Sequence, residues 1–328
     1  MPEPVGATTS AFSPSAIARH ARSCTGVGAA KTSVNHVATW GWKRSRIGAV
    51  IPPTLARGVR PVSAGGGNIG RMTAEYSDSR LTNLIAEGTG EILKGVRGVG
   101  LLRGRELGEA GDELAQNWTA RVLAQHRPDD GFLSEEAADN PERLGKDRVW
   151  IVDPLDGTKE FATGRQDWAV HVALVEDGVP THAAVGLPDL GVVFKSSDVR
   201  HVSGPFAGKV ALSRNRPPAV ATYVADALGF ATVPVGSAGA KAMHVLLGDY
   251  DAYVHAGGQY EWDQAAPVGV ALAAGLHASR LDGSALRYNN RDTYIPDIVI
   301  CRPELADDIL EAAARYRDEH GSFEGVDK

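Results

Sequence analysis

The apolar run Val149-Trp-Ile-Val152 leads straight into Asp153-Pro-Leu-Asp156-Gly-Thr158, and few folds accommodate both halves. Four successive apolar residues without polar alternation predict a strand covered on both faces. The second half breaks that strand, because Pro154 lacks an N–H and Asp-Gly is turn chemistry. Two carboxylates, Asp153 and Asp156, are therefore delivered at the C-terminal end of a buried strand, with the carbonyl of Leu155 between them. Hard oxygen donors in that setting suit Mg²⁺. Gly157 and Thr158 add backbone N–H groups and a hydroxyl at a predicted helix start, where a phosphate dianion is favoured. Taken alone, the same residues also make an ordinary turn.

Three more acidic groups extend the pattern. Glu135-Glu136 follow the short strand-like run Gly131-Phe-Leu-Ser134, Asp112 precedes a predicted helix, and Glu261-Trp262-Asp263 introduce an alanine-rich helix. Asp263 is either the N-cap of that helix or a carboxylate aimed into a cleft. Acids at several strand and helix ends are what a multi-metal site needs, since neighbouring cations share and divide their ligands.

Around these motifs the chain changes style twice. Leu81, Leu84, Ile85, Ile92, Leu93 and Val96 recur at helical spacing behind Ser79, the expected N-cap. A second helix is expected over Glu113–Gln125. Ala169–Val175 and Ala183–Gly186 form a predicted hairpin through Glu176-Asp-Gly178, extended by Val192–Phe194 and His201–Ser203. Beyond Pro205, strands (Val210–Ser213, Thr232–Val235, Ala252–Val254, Ile298–Ile300) alternate with helices (Ala219–Leu228, Ala240–Leu247, Ala265–Ala274, Leu305–Tyr316). A meander-rich part, 75–205, and an α/β part, 206–328, are expected to share a cleft. His171, in the hairpin, reads as a satisfied core histidine, and His255 as a residue near the cleft without a task.

Composition limits the alternatives. The net charge of -6 is uneven: residues 1–74 hold nine basic side chains against the single acid Glu3, leaving 25 basic and 39 acidic groups beyond. An acidic body argues against a nucleic-acid polymer as main partner. No apolar run reaches the roughly 20 residues of a membrane helix. Cys24 and Cys301 show no disulfide spacing, which fits a reducing cytoplasm. Residues 1–74 are expected to be a disordered or non-native extension. Their arginine-rich, acid-poor composition resembles a transit peptide, but Gly65-Gly66-Gly67 before Met72 favours a native start at Met72.

The order Asp112, Glu135-Glu136, Asp153-Pro-Leu-Asp156-Gly-Thr158, Trp262-Asp263 resembles the lithium-sensitive signature of the inositol-monophosphatase superfamily, over roughly residues 79–318. The resemblance implies an α/β sandwich of alternating αβαβα layers, of the inositol-monophosphatase/fructose-1,6-bisphosphatase type. It implies two or three Mg²⁺ ions held by Glu135, Asp153, Asp156, Asp263 and the Leu155 carbonyl. Thr158 and Asp112 would orient the attacking water, the Gly157 and Thr158 amides would hold phosphate, and Glu136 would act behind them.

Lys159-Glu160-Phe161 looks like the 3′(2′),5′-bisphosphate nucleotidase branch, as do Gly236-Ser237 and Lys241, which would meet the sugar and second phosphate. Ser213-Arg214 are candidates for the same task. Each has a plainer reading, Ser237 as a helix cap and Lys241 and Arg214 as solvated surface. One departure stands out: the branch carries Thr-x-Ala-Asp where this chain has Glu109-Ala-Gly-Asp112, which weakens the carry-over for Asp112.

The resemblance implies hydrolysis of a small phosphate ester, 3′-phosphoadenosine 5′-phosphate, by a lithium-sensitive cytoplasmic enzyme that clears a by-product of sulfate activation. No nucleic-acid polymer and no membrane are expected as partners; a homodimer would add a second copy of the chain. Inositol phosphate, fructose 1,6-bisphosphate and histidinol phosphate are rival substrates. A non-catalytic protein of transcription complexes is the rival of another class, and a structural Ca²⁺ site a third. No nucleophile-elbow motif or P-loop is present.

Overall fold

Strand β2, Arg148–Asp156, has eight of its nine residues buried, as an apolar run without alternation requires. Its neighbours explain why. The computed structural model describes residues 76–200 and 203–324. In it β2 is flanked by β1 (Gly131–Ser134) and β3 (Ala169–Glu176), followed by β4 (Val179–Leu187) and β5 (Val192–Lys195) in a sheet ordered β1-β2-β3-β4-β5. Only the β1–β2 pair is parallel. Val149 and Ile151 face one core, while Trp150 and Val152 face another, the two-residue period of a strand buried on both sides.

The second core packs this sheet under helices α1 (Asp78–Val99) and α2 (Arg105–His126) through Leu81, Ile85, Leu93, Leu107 and Leu123. The opposite face packs on α5 (Ala238–Leu246) and α6 (Glu261–Ala273). Those helices also cover the second sheet, ordered β7-β6-β8-β10-β9: β6 Lys209–Ser213, β7 Ala231–Val235, β8 Ala252–Tyr260, β9 His277–Ser279 and β10 Tyr294–Cys301. Its far face, with Val210, Leu212, Val254 and Val299, packs on α4 (Ala219–Leu228) and α7 (Ala306–His320). The layers thus alternate αβαβα.

Several boundaries differ from the sequence expectation for local reasons. Helix α1 is capped by Ser77, whose Oγ accepts the N–H of Arg80 at 3.3 Å, rather than by Ser79. Helix α2 begins eight residues before Glu113, so Asp112 sits within it and not ahead of it. Gly108 and Gly111, in the turns ahead of Glu113, are close-packing positions. A Cβ at either would fall 2.9 Å from Thr158 Cγ2 or Phe161 Cε1, atoms at the start and on the buried side of helix α3, Thr158–Ala162.

Helix α6 also starts early, placing Asp263 at its third position rather than at the cap. Strand β8 runs on to Tyr260, well beyond Val254, and β9 carried no signal that separated it from loop. Of the expected strand at 201–203, His201 and Val202 lie outside the described residues and Ser203 is not in a strand. The expected division at residue 205 falls between β5 and β6, inside the compact unit formed by residues 69–328. The expectations for residues 1–74, Met72 among them, lie outside the described residues. No helix among the described residues is long and apolar enough to cross a membrane.

Candidate active site

Strand β2 does not end at Pro154 as expected but runs on to Asp156 with a shift in register, and that irregularity makes the site. Pairing with β3 runs in register to Asp153↔His171, then shifts before Asp156↔Ala169, because Pro154 has no N–H for the ladder. Asp153 turns back to accept the N–H of Leu155 at 3.0 Å. Gly157 then takes a left-handed conformation, φ 89°, as N-cap of α3, a geometry that suits glycine. From the next turn Thr158 places Oγ1 3.2 Å from Asp112 Oδ1 and 3.3 Å from the Leu155 carbonyl.

Three carboxylates meet there. Asp153, Asp156 and Asp263 each offer an oxygen within 4.8 Å of the others. Asp263 is held from behind, its Oδ2 accepting the N–H of Tyr260 at 2.7 Å. Glu135, just past β1, joins them in a cavity of about 240 Å³. The crowding shows in their acidities. Burial and the charges of Asp263, Glu136 and Asp156 push Glu135 up to about 8. Burial, with Glu135 and Asp156 beside it, raises Asp153 well above the carboxylate range, and burial with Asp156 raises Asp263 to about 6.

Asp156 goes the other way. Burial alone would raise it, but His171, Lys241 and the Gly239 N–H hold it well below the ordinary value. His171 answers: burial pulls it down, yet the adjacent Asp156 leaves it above its usual value. Asp112 rises to about 7 through burial and the Glu136 charge.

The same cavity is lined by Leu155, Gly157, Thr158, Lys159, Ser213 and Lys241 among the residues singled out from the sequence. Lys159 Nζ donates to Asn215 Oδ1 at 2.9 Å. Lys241 is 2% exposed, donates to the Gly236 carbonyl at 2.9 Å and lies 5.1 Å from the Tyr253 ring centre. Burial lowers it to about 8, and a solvated surface lysine it is not.

Three candidates fall elsewhere. Asp112 opens onto an adjoining acidic hollow with Glu109, Glu113 and Glu136, and reaches the cavity only through Thr158. Ser237 is 1% exposed and spends its Oγ on the N–H of Ala240, 2.9 Å away, as the cap of α5. Arg214 does not line this cavity. Its guanidinium is committed to Glu160 at 3.1 Å and Asp167 at 2.5 Å, on the side of a neighbouring hollow.

The structure adds residues that the sequence left without a task. His255 and Gln259 line the cavity from β8, and Arg216 and Asn215 from the end of β6. The Gln259 amide bridges the Tyr253 hydroxyl and the Gln264 amide, at 2.7 and 2.9 Å. His171 stands behind Asp156, its Nε2 3.1 Å from Oδ2. The only signal for His171 was its place across from Asp153, which needs the β2–β3 register to be known.

Comparisons with known proteins place this fold in a family. The profile of the inositol monophosphatase family matches residues 85–320. The chain is 52% identical over 238 residues to the 3′-phosphoadenosine 5′-phosphate phosphatase of Mycobacterium tuberculosis, covering 69% of this chain and 89% of that protein. It is 49% identical over 255 residues to the protein of the same name from Mycobacterium leprae, covering 72% and 93%. Among solved structures, inositol monophosphatase-II from Staphylococcus aureus superposes with a TM-score of 0.62 at 18% identity, covering 73% of this chain and 96% of that one. The chain belongs to the inositol monophosphatase family.

Proposed function

We propose that this protein is a Mg²⁺-dependent, Li⁺-sensitive cytoplasmic phosphatase that converts 3′-phosphoadenosine 5′-phosphate to AMP and phosphate. The observation that carries the chemistry is the convergence of Asp153, Asp156 and Asp263 within 4.8 Å, with Glu135 and Lys241 lining the same cavity. The substrate is taken from the name borne by relatives at 52% and 49% identity.

The donor set fits the cation. Carboxylate and carbonyl oxygens are the ligands Mg²⁺ takes, and like charges so close, with raised pKa values to match, are stable together only with protons or a cation between them. Glu135, Asp153, Asp156, Asp263 and the Leu155 carbonyl would hold two or three ions. Mg²⁺ bound there would neutralise the acids, make water more acidic and stabilise charge on the phosphoryl oxygens.

The chain's own residues do the rest. Thr158 Oγ1 has two acceptors in reach, Asp112 Oδ1 and the Leu155 carbonyl. Its proton is therefore directed inward, and its lone pairs are left to accept a hydrogen bond from the attacking water. Asp112, behind it, fixes that orientation. The N–H groups of Gly157 and Thr158 would hold the phosphate for in-line attack without a covalent intermediate. Lys241 brings a positive charge into the cavity beside Asp156 and Asp263, and Lys159 and Ser213 would contact the remainder of the ester.

A substrate panel tests this reading. Phosphate release with Mg²⁺ is measured from 3′-phosphoadenosine 5′-phosphate, inositol 1-phosphate, fructose 1,6-bisphosphate and histidinol phosphate, each with and without Li⁺. Selective, Li⁺-inhibited hydrolysis of the nucleotide is the expected result. Preference for another ester would discard the substrate and keep the metal chemistry. No release from any of them by folded protein would discard the enzyme.

A further inference from the structure

His171 lies on β3 directly across from Asp153 and is wholly buried. Its Nδ1 is 3.0 Å from the carbonyl of Trp262, an acceptor, so Nδ1–H donates. That carbonyl belongs to the peptide immediately before Asp263. The other nitrogen, Nε2, lies 3.1 Å from Asp156 Oδ2, in ion-pair range though out of line for a full hydrogen bond. The same Oδ2 accepts the N–H of Gly239 at 2.8 Å. The ring thus bridges the carboxylate that ends β2 and the first turn of α6.

The grip is one-sided. Both contacts to Asp156 fall on Oδ2, and Oδ1 takes part in no hydrogen bond among the described residues. A carboxylate gripped at one oxygen from two directions has its plane fixed and its second oxygen aimed. We propose that His171 is a positioning residue of the metal centre, a strut that ties Asp156 to the start of α6 and presents Oδ1 to the cation. The proposal rests on reading Asp156 and Asp263 as metal ligands.

Gly239 supports it independently. A Cβ there would fall 2.2 Å from His171 Nε2 and 2.8 Å from Ala169 Cβ. The ring and the peptide are packed so closely around Oδ2 that the position has no room for a side chain. A histidine serving only as filler would not need a backbone donor pressed against the same oxygen. Partners that orient a metal ligand from behind typically change metal affinity by about 10–100-fold when removed.

The test compares the full-length wild type with His171→Ala, His171→Gln and His171→Asn. Mn²⁺, standing in for Mg²⁺, is titrated into metal-free protein and the free ion followed by electron paramagnetic resonance, with thermal melts of the same samples. Gln retains a donor near the Nε2 position, whereas Asn retains one near Nδ1. The expected result is Mn²⁺ binding weakened about 10-fold or more in His171→Ala, largely restored in His171→Gln and less so in His171→Asn. The metal-free melting temperatures of Gln and Asn should be alike. Wild-type Mn²⁺ affinity in His171→Ala would overturn the proposal. So would equal losses in Gln and Asn that track their melting temperatures, which would mark His171 as packing alone. Wild-type protein that takes up no Mn²⁺ would instead remove the metal reading on which the strut depends.

Discussion

Asp153 is the residue on which charge crowding and chemistry meet. It is 1% exposed, with Glu135, Asp156 and Asp263 beside it. Asp153→Asn should lower turnover by roughly a thousand-fold, since several kcal/mol of cation-borne stabilisation are lost at about 1.4 kcal/mol per tenfold. The same change should raise the melting temperature of the metal-free protein, because one of the mutually repelling acids is gone. A melt in EDTA beside a phosphate-release assay checks both; metal-free variant melting below wild type would contradict the repulsion.

Acidity extends that argument to the wild type. Glu135, Asp153 and Asp263 keep protons in the fold at pH values where the unfolded chain has released them. The folded state then binds more protons, so stability falls as pH rises. Their contribution is fully present below about 4, the ordinary carboxylate range, and is lost as pH climbs through about 6 and 8. In EDTA the melting temperature should decline across that window, and with Mg²⁺ the decline should flatten.

At this scale the acids that cluster were legible and their supports were not. Asp153-Pro-Leu-Asp156-Gly-Thr158 is contiguous, so its turn chemistry is written locally. Gly239 meets Asp156 across 83 residues, and no local pattern encodes that contact.

Among the elements, α5 shows how a backbone segment is held in place for the site. Arg214, from the end of β6, ties Glu160 of α3 to Asp167. Asp167 in turn accepts the N–H of Gly236 at 2.8 Å, just before the Ser237 cap. Arg214→Ala would leave Glu160, 3% exposed, without its partner. A fully buried pair broken this way costs about 3–5 kcal/mol; Arg214 is 26% exposed, and solvent screening reduces the effect to about 2 kcal/mol. The melting temperature should fall with little change in KM. A raised KM at unchanged stability would return Arg214 to the role of phosphate contact.

The arginine looked available in the sequence because ion pairs between α3, β6 and the loop before β3 depend on how the two sheets are layered. Helix α4, by contrast, was readable to the residue, while the first two turns of α2 were not, since its glycines there serve contacts with α3.

Among the described residues, three cores are separated by two sheets, and Cys301 reports on one of the outer two. It is fully buried on β10 against α4 and α7, and burial pushes its thiol up to about 12. The thiolate is the reactive form. In a Cys24→Ser background, labelling by a thiol reagent should therefore proceed only as fast as the fold opens, and rapid labelling under native conditions would contradict that packing. Helix and strand order predicted two layered parts sharing a cleft, and the alternating layers came from the family resemblance. The site's walls were not, because they are assembled from strand ends of both sheets and the helices between them.

The unbalanced carboxylates give the protein one more property. A ligand that binds only the folded state adds RT ln(1 + [L]/Kd) to its stability, and here it would also relieve the repulsion among Glu135, Asp153, Asp156 and Asp263. Free Mg²⁺ would then govern the lifetime of the chain as well as its rate. Under magnesium starvation the protein should become a better protease substrate, so its abundance should drop along with its turnover.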